Sequence, residues 1–215
     1  MRLFQRRVMK RRETLLAMSS ILAAMSLPRL ANATPVAQET TARPFAVDDA
    51  TGKRRTLDEF KGKIVVLEWT SPSCPFVRAQ YASGKMQELQ GWAKERGVVW
   101  LSVLSTHPAR GDYLTPQKAL AFNRERKAQP TALLMDSTGH MGQAYGARNT
   151  PHMFVINSAG LIAYAGAIDT QPTVDESVVL KSQNLVRAAL EDLLSGKGVA
   201  KPRTAPYGCL VGYSA

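Results

Sequence analysis

An α/β domain, built on a central mixed sheet with helices on both faces, is the fold class this sequence predicts. Three observations carry the prediction. Residues 64–69, 98–105 and 131–135 are apolar runs of strand length, as expected of strands buried on both sides. Segments of helical character separate them. Two later apolar runs, 153–156 and 161–164, flank Asn157-Ser158-Ala159-Gly160 and read as an antiparallel hairpin. Strand, helix, strand, helix, strand, hairpin and closing helix is the order of a sheet covered on both faces.

Each element has a local reason. Residues 45–47 suggest a short strand, and Asp49-Ala50-Thr51-Gly52-Lys53 a turn. Residues 56–62 form a brief helical turn stopped by Gly62. The run at 64–69 carries one acid, Glu68. A helix is expected over 75–96, with Pro75 at its first position, where the missing N–H costs nothing, and Gly84 marking a kink. Thr115 caps a helix that begins at Pro116 and reaches Lys127. A shorter helix at 140–145 ends at Gly146. Val178, Leu185, Ala189, Leu190, Leu193 and Leu194 trace an amphipathic helix stopped by Gly196. The expected organisation is an export signal at 1–33, a linker at 34–42, the domain at 43–198, and a mobile tail at 199–215 carrying Cys209.

The formal charge of +11 is concentrated at one end. Seven of the 28 basic residues and one of the 17 acids fall within residues 1–33, leaving an excess of about five positive charges elsewhere. The remaining charges are scattered, with no basic stripe interleaved with aromatics, so nucleic-acid binding is not expected. The N-terminus has the layout of an export signal: a basic region to Arg12, an apolar stretch to Leu27, and Ala31-Asn32-Ala33 at the cleavage position. Arg11-Arg12 resembles a twin-arginine signal. Export places the mature chain in the periplasm or another oxidising compartment, where two cysteines can exchange disulfides.

Cys74 lies in Ser71-Pro72-Ser73-Cys74-Pro75, between an apolar strand and a helix start. Free N–H groups at a helix N-terminus favour thiolate over thiol. The second cysteine, Cys209, is far away in sequence. His107, His140 and His152 show no metal-ligand spacing, and no glycine-rich phosphate loop is present, so neither a metal nor another cofactor is expected.

KIVVLEWTSPSCP, followed much later by NTPHMFVINSAGLIAYAGAID, resembles the thioredoxin fold. The likeness is to its redoxin branch, which includes alkyl hydroperoxide reductase and thiol-specific antioxidant proteins, and it covers roughly residues 43–195. It implies that Cys74 is the nucleophile, with Pro75 beside it. Thr150-Pro151 would be the threonine–cis-proline pair next to the thiol, leaving a backbone edge for substrate. Glu68 takes the place of the buried acid that handles the proton. Ser71 falls where the peroxide-supporting threonine stands, and Arg148 near the peroxide-polarising arginine. Cys209 would be the resolving cysteine, since sulfenic acid needs a second thiol before overoxidation. Two departures stand out: Val77 replaces the second cysteine of the thioredoxin motif, and Leu67 replaces a proline of the peroxidase pattern.

The resemblance thus implies a thiol-disulfide oxidoreductase or thiol peroxidase. Its substrate would be a hydroperoxide or a protein disulfide, and an external, thioredoxin-like dithiol would reduce it. The alternative is a non-catalytic binding module of the same fold, in which Cys74 and Cys209 form a structural disulfide. No oligomeric state follows from either.

Overall fold

Val65–Trp69 (β4) is buried at every position, and that explains its place at the centre of the sheet. The computed structural model describes residues 40–213; the expected export signal and nearly all of the linker lie outside them. In chain order the elements are β1 (Thr40–Thr41), β2 (Ala46–Asp48), β3 (Arg54–Thr56), a 3₁₀ turn at Leu57–Phe60, β4, α1 (Pro75–Ala82), α2 (Lys85–Glu95) and β5 (Val99–Leu104). There follow α3 (Pro116–Glu125), β6 (Ala132–Met135), α4 (His140–Tyr145), β7 (Asn149–Thr150), β8 (His152–Ile156), β9 (Leu161–Gly166), α5 (Glu176–Lys181), α6 (Leu185–Leu194) and β10 (Cys209–Leu210).

The main sheet has six strands in the order β1-β9-β8-β4-β5-β6. β4, β5 and β6 run parallel, whereas β8 is antiparallel to β4 and β9 to β8. The period of two along β4 sends Val65, Leu67 and Trp69 to one face, where they join Leu101, Val103, Phe154, Met141 and Tyr145. Val66 goes to the other face, with Met86, Leu89, Trp100, Tyr164, Val186 and Leu190. Cys74 and Val77 pack on that second face as well. A smaller cluster of Ala50, Leu104, Ala119 and Leu133 lies at the β6 side. Burial of each such large apolar side chain contributes about 1.5–3 kcal/mol.

Three expectations change. The helix expected over 75–96 is two helices. Ser83 ends the first, and Gly84, at φ +80°, turns the chain into the second. The new direction lets Met86, Leu89 and Ala93 reach the core while Gln90 reaches Glu68. The closing helix is also divided, into α5 and α6, each with its own cap: Asp175 accepts from the Ser177 N–H and Asn184 from the Arg187 N–H.

The third change matters most. The tail, expected as a mobile arm, is laid along the domain as a strap. The Ala165 N–H donates to Pro202 O at 3.0 Å, the Thr204 N–H to Ala165 O at 3.1 Å, and the Ala167 N–H to Thr204 Oγ1 at 3.0 Å. β10 then pairs antiparallel with β7, placing Cys209 opposite Thr150 and Leu210 opposite Asn149. Farther on, Val211 N–H donates to Arg148 O at 3.0 Å and His107 N–H to Gly212 O at 2.9 Å. Backbone hydrogen bonds of this kind are made over most of the strap, and none is visible in composition.

Candidate active site

Cys74 is the N-cap of α1, with Pro75 at the first helical position. Its side chain is wholly buried. As a thiol it donates to the Thr150 carbonyl oxygen at 2.9 Å. Thr150 is held beside it by the turn between β7 and β8, where the Thr150–Pro151 peptide bond is cis. Among the described residues both cysteines are free, and the strap brings the second onto the first.

The two sulfurs are driven in opposite directions. Burial pushes the Cys74 thiol up. Hydrogen bonds from the Cys209 thiol, from Thr150, and from the backbone N–H groups of Val77 and Cys209 together outweigh burial and leave it below the ordinary thiol value. Cys209 is pushed up by burial first, then by donating to Cys74 and by the charge of that neighbour, with Arg78 opposing. Of the two thiols, Cys74 is therefore the one that gives up its proton first. A thiolate beside a protonated thiol is the arrangement from which disulfide exchange begins.

The Thr150 hydroxyl oxygen is buried and has no partner while Cys74 is a thiol. Once Cys74 ionises, the carbonyl contact no longer helps, and this hydroxyl becomes a donor to sulfur. Thr150→Val is expected to raise the midpoint of a Cys74 alkylation pH profile by about one unit, the worth of one charge-assisted hydrogen bond.

Glu68 is wholly buried on the α1 face of β4. Its oxygens accept from Tyr81 Oη at 2.9 and 3.1 Å, Trp100 Nε1 at 2.8 Å, Ser102 Oγ at 2.8 Å and Gln90 Nε2 at 3.2 Å. None of these hydrogen bonds reaches Cys74. Ser71 Oγ is 3.0 Å from Ser73 Oγ and accepts from the Ser73 N–H, and Ser73 Oγ in turn donates to Asp112 Oδ2 at 2.8 Å. Arg148 is exposed and lines a cavity of about 320 Å³ with His152 and Arg203, and Cys74 is not among the lining residues. Sequence reasoning did not single out Tyr207, Gly208, Asp169 and Gln80, which hold the strap. Tyr207-Gly208 immediately before Cys209 was the available signal, an aromatic anchor followed by a residue tolerant of unusual backbone angles.

His152 sits next to the cis-proline, with its Nδ1 accepting from the Arg148 N–H at 3.2 Å. Burial first, and the Arg148 charge second, pull it down to about 4. An unfolded histidine titrates near 6.5, so between the two values only the unfolded chain binds the proton. The stability involved is fully present above about pH 6.5 and is lost as pH falls toward 4, roughly 3 kcal/mol in all. His152→Gln is expected to flatten this part of a urea-unfolding profile against pH.

Among the solved structures that share the fold, two are similar over more than four fifths of this chain. A hypothetical protein from Sinorhizobium meliloti 1021 is 23% identical with a TM-score of 0.70, covering 85% of this chain and 97% of its own. An uncharacterized conserved protein from Geobacillus kaustophilus is also 23% identical at a TM-score of 0.70, covering 83% and 93%. No curated protein matches the chain. Residues 39–165, more than half of the sequence, match the AhpC/TSA family, and they include Cys74, Glu68 and the Thr150–Pro151 turn. With the thioredoxin-like sheet and a thiol at the start of its first helix, the chain belongs to the AhpC/TSA family.

Proposed function

We propose that the protein is an exported thiol-disulfide oxidoreductase in which Cys74 and Cys209 work as one redox pair. The observation that carries the reading is their meeting as free thiols with opposed ionisation, across the length of the domain. Cys209 supplies what Val77 cannot, a second thiol beside the nucleophile.

A disulfide is favoured over a hydroperoxide as substrate. Cys209 already lies on an extended strand paired with Thr150, which is how a cysteine in an external polypeptide would be presented. The peroxide-supporting pattern is incomplete at Leu67, and Arg148 lies in a cavity that Cys74 does not line. Cys74 thiolate attacks one substrate sulfur and expels the other as a thiol after proton uptake. Cys209 then attacks the Cys74 sulfur, giving its proton to the second leaving thiolate. An external dithiol reduces the resulting bridge. Glu68 enters as a buried anchor for α1, α2 and β5 rather than as the proton carrier, because its oxygens are engaged by four other side chains.

The test is wild type against Cys74→Ser and Cys209→Ser, each assayed with a model disulfide and with hydroperoxides. Loss of the first reaction only in Cys74→Ser is expected, with turnover lost in both and a trapped mixed disulfide in Cys209→Ser. Faster turnover with hydroperoxide than with disulfide would instead make the protein a peroxidase. A Cys74–Cys209 bridge that glutathione cannot reduce would return the structural-disulfide alternative.

A further inference from the structure

The helix that begins at Cys74 also holds the strap that carries Cys209. Two residues into α1, the Phe76 ring meets the Tyr207 ring edge-on, with centroids 5.7 Å apart. One turn later, Gln80 Nε2 donates to Asp169 Oδ2 at 2.7 Å and lies 3.4 Å from Tyr207 Oη. Tyr207 Oη itself donates to Asp169 Oδ1 at 2.6 Å. Asp169 is 2% exposed and Gln80 1% exposed. Ser182 Oγ at 2.8 Å and the Gln171 N–H at 3.0 Å complete the carboxylate's partners. A short charge-assisted bond into a buried, fully engaged carboxylate is among the stronger hydrogen bonds a protein makes.

Only Gly208 separates this anchor from Cys209. Gly208 stands at φ +105°, its backbone pressed on the Thr150 carbonyl, and Asn149 Nδ2 donates to its oxygen at 2.9 Å. A single residue spans at most about 3.6 Å, so the sulfur has little slack once Tyr207 is fixed.

We propose that Tyr207 is the positioning residue of the bridge-forming step: its hydroxyl, bound to Asp169, holds the strap so that the Cys209 sulfur remains on Cys74. This rests on the reading that the two cysteines exchange disulfides. In that step a substrate disulfide R–S–S–R′ is attacked by Cys74, which forms the Cys74–S–R bond and releases R′SH after proton uptake. Cys209 then forms the bond to the Cys74 sulfur and loses its proton to the departing RS⁻. The substrate gains two electrons and two protons, and the cysteine pair loses them. A cysteine on a free tail would reach Cys74 at the millimolar effective concentration of a flexible tether, whereas an anchored one benefits from orientation.

Tyr207→Phe removes only the hydroxyl and keeps the ring on Phe76. The full chain is equilibrated with glutathione and glutathione disulfide at fixed ratios, quenched in acid and analysed by mass spectrometry for the reduced form, the Cys74–glutathione mixed disulfide and the Cys74–Cys209 bridge. In Tyr207→Phe the ratio of bridge to mixed disulfide is expected to fall about tenfold, in line with a hydrogen bond to a charged group. That corresponds to a pair about 30 mV more oxidising. Measured at a pH above the Cys74 midpoint, the initial attack on glutathione disulfide should be no slower. Gln80→Met withdraws the amide from both Asp169 and Tyr207 and is expected to shift the ratio the same way by a smaller factor.

Wild-type ratios and potential in both variants would overturn the assignment. If wild type itself forms no bridge with glutathione disulfide, the exchange reading fails and Tyr207 has no such step to position. If wild type and both variants form it equally, the exchange reading stands and only the role of Tyr207 is lost.

Discussion

Gly208→Val should detach the strap from the active site. A β-carbon at this position falls well inside the van der Waals radius of the Thr150 carbonyl oxygen, and φ of +105° lies in a region that a β-branched residue scarcely adopts. Neither obstacle can be relieved by turning a flexible side chain, because the opposing atoms are backbone. Strain of this kind costs about 1–3 kcal/mol before the clash is counted, enough for a tenfold or greater loss of the paired state. Two consequences separate in one experiment, the pH profile of alkylation by iodoacetamide. The limiting rate at high pH is expected to rise about tenfold, because Cys74 is wholly buried with Tyr207 and Cys209 of the strap packed against its cluster. The midpoint should rise toward the ordinary thiol value of about 8.5, because the lowering contacts from Cys209 are lost. An unchanged profile would mean that the strap does not govern access to Cys74.

Glu68→Ala should cause the largest loss of stability of any single change considered. Tyr81, Gln90, Trp100 and Ser102 converge on this carboxylate from α1, α2 and β5, and Glu68 is fully buried among them. Each buried donor left without an acceptor costs about 1–3 kcal/mol, less where neighbouring groups re-pair. A net loss of about 3–5 kcal/mol is expected by urea denaturation, a large share of the whole stability of a typical domain. Glu68→Gln keeps one acceptor oxygen and should cost less. A loss below about 1 kcal/mol in Glu68→Ala would show that the cluster re-forms around water or another acceptor.

The central strands were legible because burial on both faces leaves a mark in composition. β4, β5 and β6 stand close to their expected positions, as do the β8–β9 hairpin and the start of α3 at Thr115-Pro116. The division of the long helix was half legible: Gly84 announced a disturbance, but whether the chain bends or breaks depends on where Met86, Leu89 and Gln90 find partners. The strap left only the Tyr207-Gly208 pair before Cys209 as a mark, and that pair names no partner. Its anchors, Thr204, Tyr207 and Gly208, are ordinary tail residues until Tyr164, Asp169 and Thr150 are placed opposite them.

Sequence alone determined the fold class, the thiol at the start of the first helix, and the lack of a second cysteine at Val77, because each follows from local pattern or from the identity of one residue. Tertiary structure decided that Cys209 meets Cys74, that the tail lies as a strand on Asn149–Thr150, and that Glu68 is engaged away from the sulfur. The reason is physical: hydrogen bonds and charge couplings between residues distant in the chain depend on distances that only packing of the whole domain fixes.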